Sequence, residues 1–218
     1  MTTIAIHQPN FFPWIGYFEK IANCDYFVFL DDVQYSKGTM LNRAYINDKN
    51  TSNLLRLTCP VSYKHPAKIN TVIISETKNW KDKTIKTILY NYPRKELLSD
   101  SISMLIRRKT SLLSTYNIQN IAEICSHLGI KPKKGFIIQS ELGEFQNSKT
   151  DMLVDIIRCL NGDVYYSGTG AKSYMFDQHM ENCGISVKFQ DNKNFPAYSI
   201  IELLMTMDIN DIKKRWLS

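Results

Sequence analysis

The chain has 218 residues, 44% of them hydrophobic and 22% charged, with a formal net charge of +6. This is an ordinary globular composition, and one domain over residues 1–218 is long enough to bury a sizeable core. The basic residues are dispersed, so the modest excess suits anionic small molecules or an acidic protein partner; with no zinc-finger, RNP or helix-turn-helix pattern, no nucleic-acid partner is expected.

In chain order, Thr3 to His7 reads as a short strand. Pro9 and Pro13 break it, and an amphipathic helix follows from about Trp14 to Asn23, with Ile15, Phe18, Ile21 and Ala22 on one face. Tyr26 to Leu30 is a continuous apolar run ending in Asp31-Asp32, the pattern of a buried parallel strand. Strand, helix and strand over residues 3–30 form a βαβ unit, whose crossover is expected to be right-handed. Leu54 to Pro60 and Thr71 to Ile74 predict further strands. Lys83 to Tyr92 predicts a helix ended by Pro93. Ser101 to Tyr116 and Ile118 to Leu128 predict two more, the second closed by Gly129 and Pro132. These helices form a helical subdomain near residues 80–130. Phe136 to Gln139, Val164 to Tyr166 and Ile185 to Phe189 read as short strands. Ser148-Lys149-Thr150-Asp151 opens a helix that runs to Leu160 and stops at Asn161-Gly162. Ser167 to Ala171 is a small-residue loop leading into a helix, and Ile200 to Met207 and Ile209 to Trp216 are terminal helices. The alternation predicts an α/β fold: a Rossmann-like parallel sheet flanked by helices, with a helical insertion.

No run approaches the ~18 apolar residues of a membrane helix. No secretory signal opens the chain, so no transmembrane segment and a cytoplasmic location are expected. The five cysteines (Cys24, Cys59, Cys125, Cys159 and Cys183) are scattered without a C-x-x-C pair. They read as buried reduced thiols rather than a disulfide framework or a zinc site.

The chemistry crowds into the turn after the first strand, where an open α/β sheet binds its ligand. A neutral His7 there can take a proton from an attacking amine or hydroxyl near pH 7. Gln8 and Asn10 offer hydrogen bonds to a base, sugar or amide, or stabilise the turn. Trp14 and Tyr17, one helical turn apart, can stack on a planar ring or fill the core. Asp31 and Asp32, at a strand end, can orient His7, bind sugar hydroxyls or hold a metal, or they simply cap the next turn. No metal site is assigned. Gln34, Lys37, Asn42 and Arg43 follow, a set that can grip a diphosphate. Ser167, Gly168, Thr169 and Gly170 follow a strand and offer backbone N–H groups to an anion or a carbonyl oxygen. Cys24 lies close enough to the first loop to be weighed as a thiol nucleophile. Walker A, G-x-G-x-x-G, G-x-S-x-G and H-E-x-x-H patterns are all missing.

The block His7-Gln8-Pro9-Asn10-Phe11-Phe12-Pro13-Trp14-Ile15-Gly16-Tyr17, the run Asp25 to Tyr35 and the pair Asn42-Arg43 resemble the WbqC-like family. Tyr166-Ser167-Gly168-Thr169-Gly170-Ala171 with Tyr174 is similar to its second signature. Met40-Leu41 stands where the family pattern has a tryptophan, and the segment around Phe195 to Leu204 is contracted, with Glu202 replacing an aspartate. The resemblance implies a place in bacterial surface-polysaccharide biosynthesis, O-antigen or capsule. It implies transfer of an acyl or aminoacyl group, glycyl among them, to the amino group of a nucleotide-linked amino sugar. The donor would be an acyl thioester on a carrier protein or coenzyme A, with no tightly bound cofactor. In that reading His7 is the base, oriented by Asp31 or Asp32. Lys37 and Arg43 hold the diphosphate, and the Ser167–Gly170 loop stabilises the oxyanion. The alternatives are a non-catalytic scaffold of polysaccharide assembly and a glycosyltransferase. The first turn is also similar to the H-x-G-H turn of nucleotidyltransferases, but Trp14 and Tyr17 replace both histidines, which argues against nucleotidyl transfer.

Overall fold

The computed structural model describes residues 1–51, 53–93, 96–147, 149–170 and 177–217. In chain order these form β1 (Thr3–His7), α1 (Ile15–Ala22), β2 (Tyr26–Phe29), β3 (Arg43–Asn47), β4 (Leu54–Thr58), β5 (Val61–Ser62), β6 (Ile73–Ile74), α2 (Trp80–Asn91), α3 (Glu96–Ile106) and α4 (Leu113–Leu128). Then come β7 (Gly135–Ile138), α5 (Lys149–Cys159), β8 (Val164–Ser167), α6 (Asp177–Asn182), β9 (Ser186–Phe189), α7 (Ile200–Thr206) and α8 (Ile209–Ile212). The chain divides into two compact units: Met1–Gln8, Gly16–Asp31 and Ile130–Phe195 in one, Pro9–Ile15, Asp32–Gly129 and Pro196–Ser218 in the other.

The first unit is built on a five-stranded sheet of order β7-β2-β1-β8-β9. Every pairing is parallel, with Ile4 opposite Tyr26 and His7 opposite Phe29 between β1 and β2. The short apolar runs suit strands buried on both faces. Alternation along β1 sends Ile4 and Ile6 to one face, where they join Val28, Tyr165, Val154, Ile156 and Ile157 of α5 and Met180 of α6 in one buried cluster. The other face carries an aromatic layer, in which Phe27 lies 5.2 Å from both Tyr17 of α1 and Phe29, and Phe29 stacks on Phe136 at 5.4 Å. Each such side chain contributes roughly 1.5–3 kcal/mol of burial. This unit is a parallel α/β sheet flanked by helices.

Helix α5 ends at Cys159, and the turn after it carries Asn161, with φ of 51°, followed by Gly162. A β-carbon on Gly162 would lie 2.5 Å from Ile4 Cγ1 and 2.8 Å from Ile157 Cγ2, so only glycine lets the turn seat against β1 and its own helix. Ser148, predicted to open this helix, lies outside the described residues, as do Ala171 and Tyr174.

The second unit holds the antiparallel pairs β3–β4 and β5–β6 and helices α2, α3, α4, α7 and α8. Its core includes Phe11, Trp80 and Tyr116, with ring centroids 6.1–6.3 Å apart. Ser199 caps α7 by accepting from Ile201 N and donates to the Phe12 carbonyl at 2.7 Å.

One expected boundary moves, and one strand is new. The break placed after Tyr116 falls instead at residues 107–112, because Asn117 is an interior residue of α4. It is 1% exposed and donates to the carbonyls of Pro9 and Leu41, each at 2.8 Å. Strand β3, with the alternating burial of Arg43 to Asn47, was not expected; short half-buried strands lack a long apolar run. The Gly129 cap holds, with φ of 62°. The cysteines are all free, but Cys159 is exposed and Cys183 half-buried rather than core thiols.

Candidate functional site

In the first unit, β1 leads through α1 to β2 on one side, while β8 lies on its other side. The carboxyl edge between β1 and β8 is therefore a topological switch point, the crevice where open α/β sheets bind ligands. A cleft of about 670 Å³ opens at this edge. Ile6, Leu30, Met152, Leu153 and Tyr165 supply its apolar wall, and His7, Gln8, Lys149 and Thr150 its polar groups. That volume suits a small organic molecule.

His7 ends β1 and lies edge-on to Tyr17, with centroids 4.8 Å apart. Its Nδ1 is 3.0 Å from the carbonyl of Gln8, which also accepts from the Tyr17 hydroxyl at 3.0 Å. A carbonyl only accepts, so the proton sits on Nδ1, and the Nε2 lone pair has no partner among the described residues. Burial of the ring, then the Lys20 cation, holds the pKa down at about 3 against the pull of the Gln8 carbonyl. The imidazole is neutral at pH 7. Tyr17 is fully buried, so it fixes this turn rather than presenting a face to a ligand.

Asp31 is buried, and its two oxygens accept from Ser140 N at 3.0 Å and Ser140 Oγ at 2.8 Å. It ties down the turn after β7. The His7 nitrogen that an orienting carboxylate would take is held by Gln8 instead. Ser167 is buried at the end of β8, Gly168 and Thr169 are half-buried, and Thr169 Oγ1 accepts from Asn192 at 2.9 Å. Cys24 is buried and donates to the Ile21 carbonyl; burial, then Asp25, pushes its thiol up to about 12, which leaves it no nucleophile.

Lys20, on α1, escaped the sequence reading. It is 4% exposed, and among the described residues it makes neither a hydrogen bond nor an ion pair. Burial lowers its pKa to about 8, with Glu19 and Cys24 pulling the other way. The Glu19 carboxylate beside it accepts from Tyr166 at 2.7 Å, from Asn23 at 2.8 Å and from Gln190.

The remaining predicted residues lie in the second unit. Asn10, Trp14 and Arg43 border one small hollow of about 40 Å³, room for water rather than for a sugar nucleotide. Trp14 precedes α1 and forms an antiparallel bridge with Ser199, so it is not on the helix as expected. Asp32 accepts from Lys68 at 2.8 Å and Asn70 at 3.0 Å. Gln34 and Lys37 are exposed. Asn42 donates to the Cys59 carbonyl and Arg43 to that of Gly38. Asn42 Oδ1, Arg43 Nε and the hydroxyl of Tyr35 are buried with no hydrogen-bond partner among the described residues. Glu202, the departure from the family pattern, is buried and accepts from Asn47 N at 2.9 Å and from Tyr92. Among the described residues no three His, Cys, Asp or Glu side chains gather as metal ligands, and no helix is long and apolar enough to cross a membrane.

Fold and cleft together define an α/β protein with a crevice at the carboxyl edge of a parallel sheet. The chain belongs to the WbqC-like protein family, whose model matches residues 8–208. It is similar to the uncharacterized protein Rv1507c of Mycobacterium tuberculosis (strain ATCC 25618 / H37Rv), at 29% identity over 95% of this chain and 94% of the relative. No solved structure matches it.

Proposed function

We propose that the protein is an acyl- or aminoacyltransferase acting on the amino group of a nucleotide-linked amino sugar in surface-polysaccharide biosynthesis. The observation that carries this reading is the neutral His7 at the cleft, its Nδ1 fixed by Gln8 and its Nε2 unoccupied. The sugar amine attacks the carbonyl carbon of an acyl thioester, held by a carrier protein or coenzyme A. The carbon–sulfur bond breaks as the carbon–nitrogen bond forms, and the amine proton passes through His7 Nε2 to the departing sulfur. A base of pKa about 3 is always ready to accept at pH 7 but weak. It takes the proton only after the nitrogen has become strongly acidic by bonding to the carbonyl carbon. The Ser167–Gly170 turn is the candidate for stabilising the oxyanion.

The test is the His7→Ala variant, assayed for acyl transfer and titrated with the nucleotide sugar. Turnover should fall about a hundredfold or more while binding is unchanged. Loss of binding in parallel with turnover would remove the base assignment.

A further inference from the structure

An ammonium taken out of water without a counter-charge is costly, and lysines are almost never fully buried unless paired. Lys20 is such a lysine, 96% withdrawn from solvent by its 4% exposure, with no ion pair and no hydrogen bond among the described residues. The nearest carboxylate in sequence, Glu19, is committed to Tyr166, Gln190 and Asn23.

Its position is also specific. Helix α1 runs back from the carboxyl edge of the sheet, and helical side chains tilt toward the helix N-terminus. The Lys20 stem is thereby carried toward the carboxyl edge. A β-carbon built on Gly168 would lie 3.9 Å from Lys20 Nζ, its one contact within 4 Å among the described residues beyond its chain neighbours. The ammonium therefore lies near the backbone at the end of β8, at the switch point of the strand order. His7, at the end of the neighbouring strand β1, feels its charge.

We propose that Lys20 is the anchor of an oxyanion subsite beside Gly168, which takes a phosphoryl or carboxylate oxygen of a small-molecule ligand. A compact ammonium holds one oxygen as a point charge and needs no planar partner. The ligand supplies the direct oxygen partner that no described residue gives, Glu19 acting only at a distance. This subsite stands without the acyl-transfer reading; if both hold, the bound anion cancels the charge that weakens His7 and makes it a better base.

The experiment compares the full-length wild type, Lys20→Met and Lys20→Arg. Each is titrated calorimetrically with inorganic phosphate, pyrophosphate and acetate against chloride at matched ionic strength. Wild type is expected to bind at least one of these anions roughly ten- to a hundredfold more tightly than Lys20→Met, with Lys20→Arg retaining part of the difference. Binding of phosphate or pyrophosphate alone assigns a phosphoryl group, and binding of acetate alone a carboxylate. The wild type also reports directly: the isotope-labelled Lys20 side-chain signal should shift on anion addition, which decides the matter even if Lys20→Met does not fold. Equal binding by wild type and Lys20→Met, or an unmoved Lys20 signal at high phosphate, would overturn the proposal. So would selective binding by wild type in which a different lysine moves.

Discussion

Lys20 and His7 are two bases whose charged forms the fold disfavours, and their depressed pKa values make stability depend on pH in a defined direction. Lys20 is held at about 8, below the ordinary lysine value of 10.5. Between those values the unfolded chain binds a proton that the folded chain releases, so stability rises as pH rises from 8 toward 10.5. The full contribution is ~3 kcal/mol, and it should vanish from the Lys20→Met variant. Chemical unfolding of both proteins at pH 7.5, 9 and 10 measures it as a difference, which cancels the tyrosines. A constant difference across the series would contradict the burial of an unpaired ammonium. His7 follows the same sign lower down: its contribution is complete above pH 6.5 and is lost as pH falls toward 3. His7 was legible in the sequence because it ends a strand and precedes a proline break. Lys20 was not, because in sequence it sits beside Glu19 on what reads as the polar side of an amphipathic helix. Only the tertiary structure reveals that α1 is buried nearly all round, with Tyr17, Phe18, Lys20 and Ile21 all inside. The one local hint was its spacing of three residues from Tyr17, which puts both on one helical face.

At the scale of elements, the parallel core was readable from the apolar runs. Thr3–His7 emerges with the predicted bounds and Tyr26–Phe29 within one residue of them. What failed was the boundary inside residues 101–128, where a buried Asn117 looked like a break. Its role is to hold two loop carbonyls distant in sequence, and no local pattern encodes such a partner. The turn after α5 gives a direct test of the packing. Gly162→Ala places a methyl against Ile4 and Ile157, and overpacking of this kind costs roughly 1–3 kcal/mol. A lower denaturant midpoint with an unchanged slope is the expected result. An unchanged midpoint would contradict the contact between the turn and β1.

At the scale of the whole molecule, the family match over residues 8–208 was anticipated by the motif residues themselves. The division of those residues was not. The first block passes from one compact unit to the other after Gln8, returns at Gly16 and leaves again after Asp31. His7, Gln8, Tyr17 and Asp31 fall in the sheet unit, and Asn10, Trp14, Asp32 and Arg43 in the other. The most direct test of the functional reading is calorimetric titration of the full-length protein with nucleotide-linked sugars in matched amino and non-amino forms. The account predicts binding by the amino forms that the matched non-amino forms lack. Equal binding of both forms, or of neither, would contradict transfer to a sugar nitrogen.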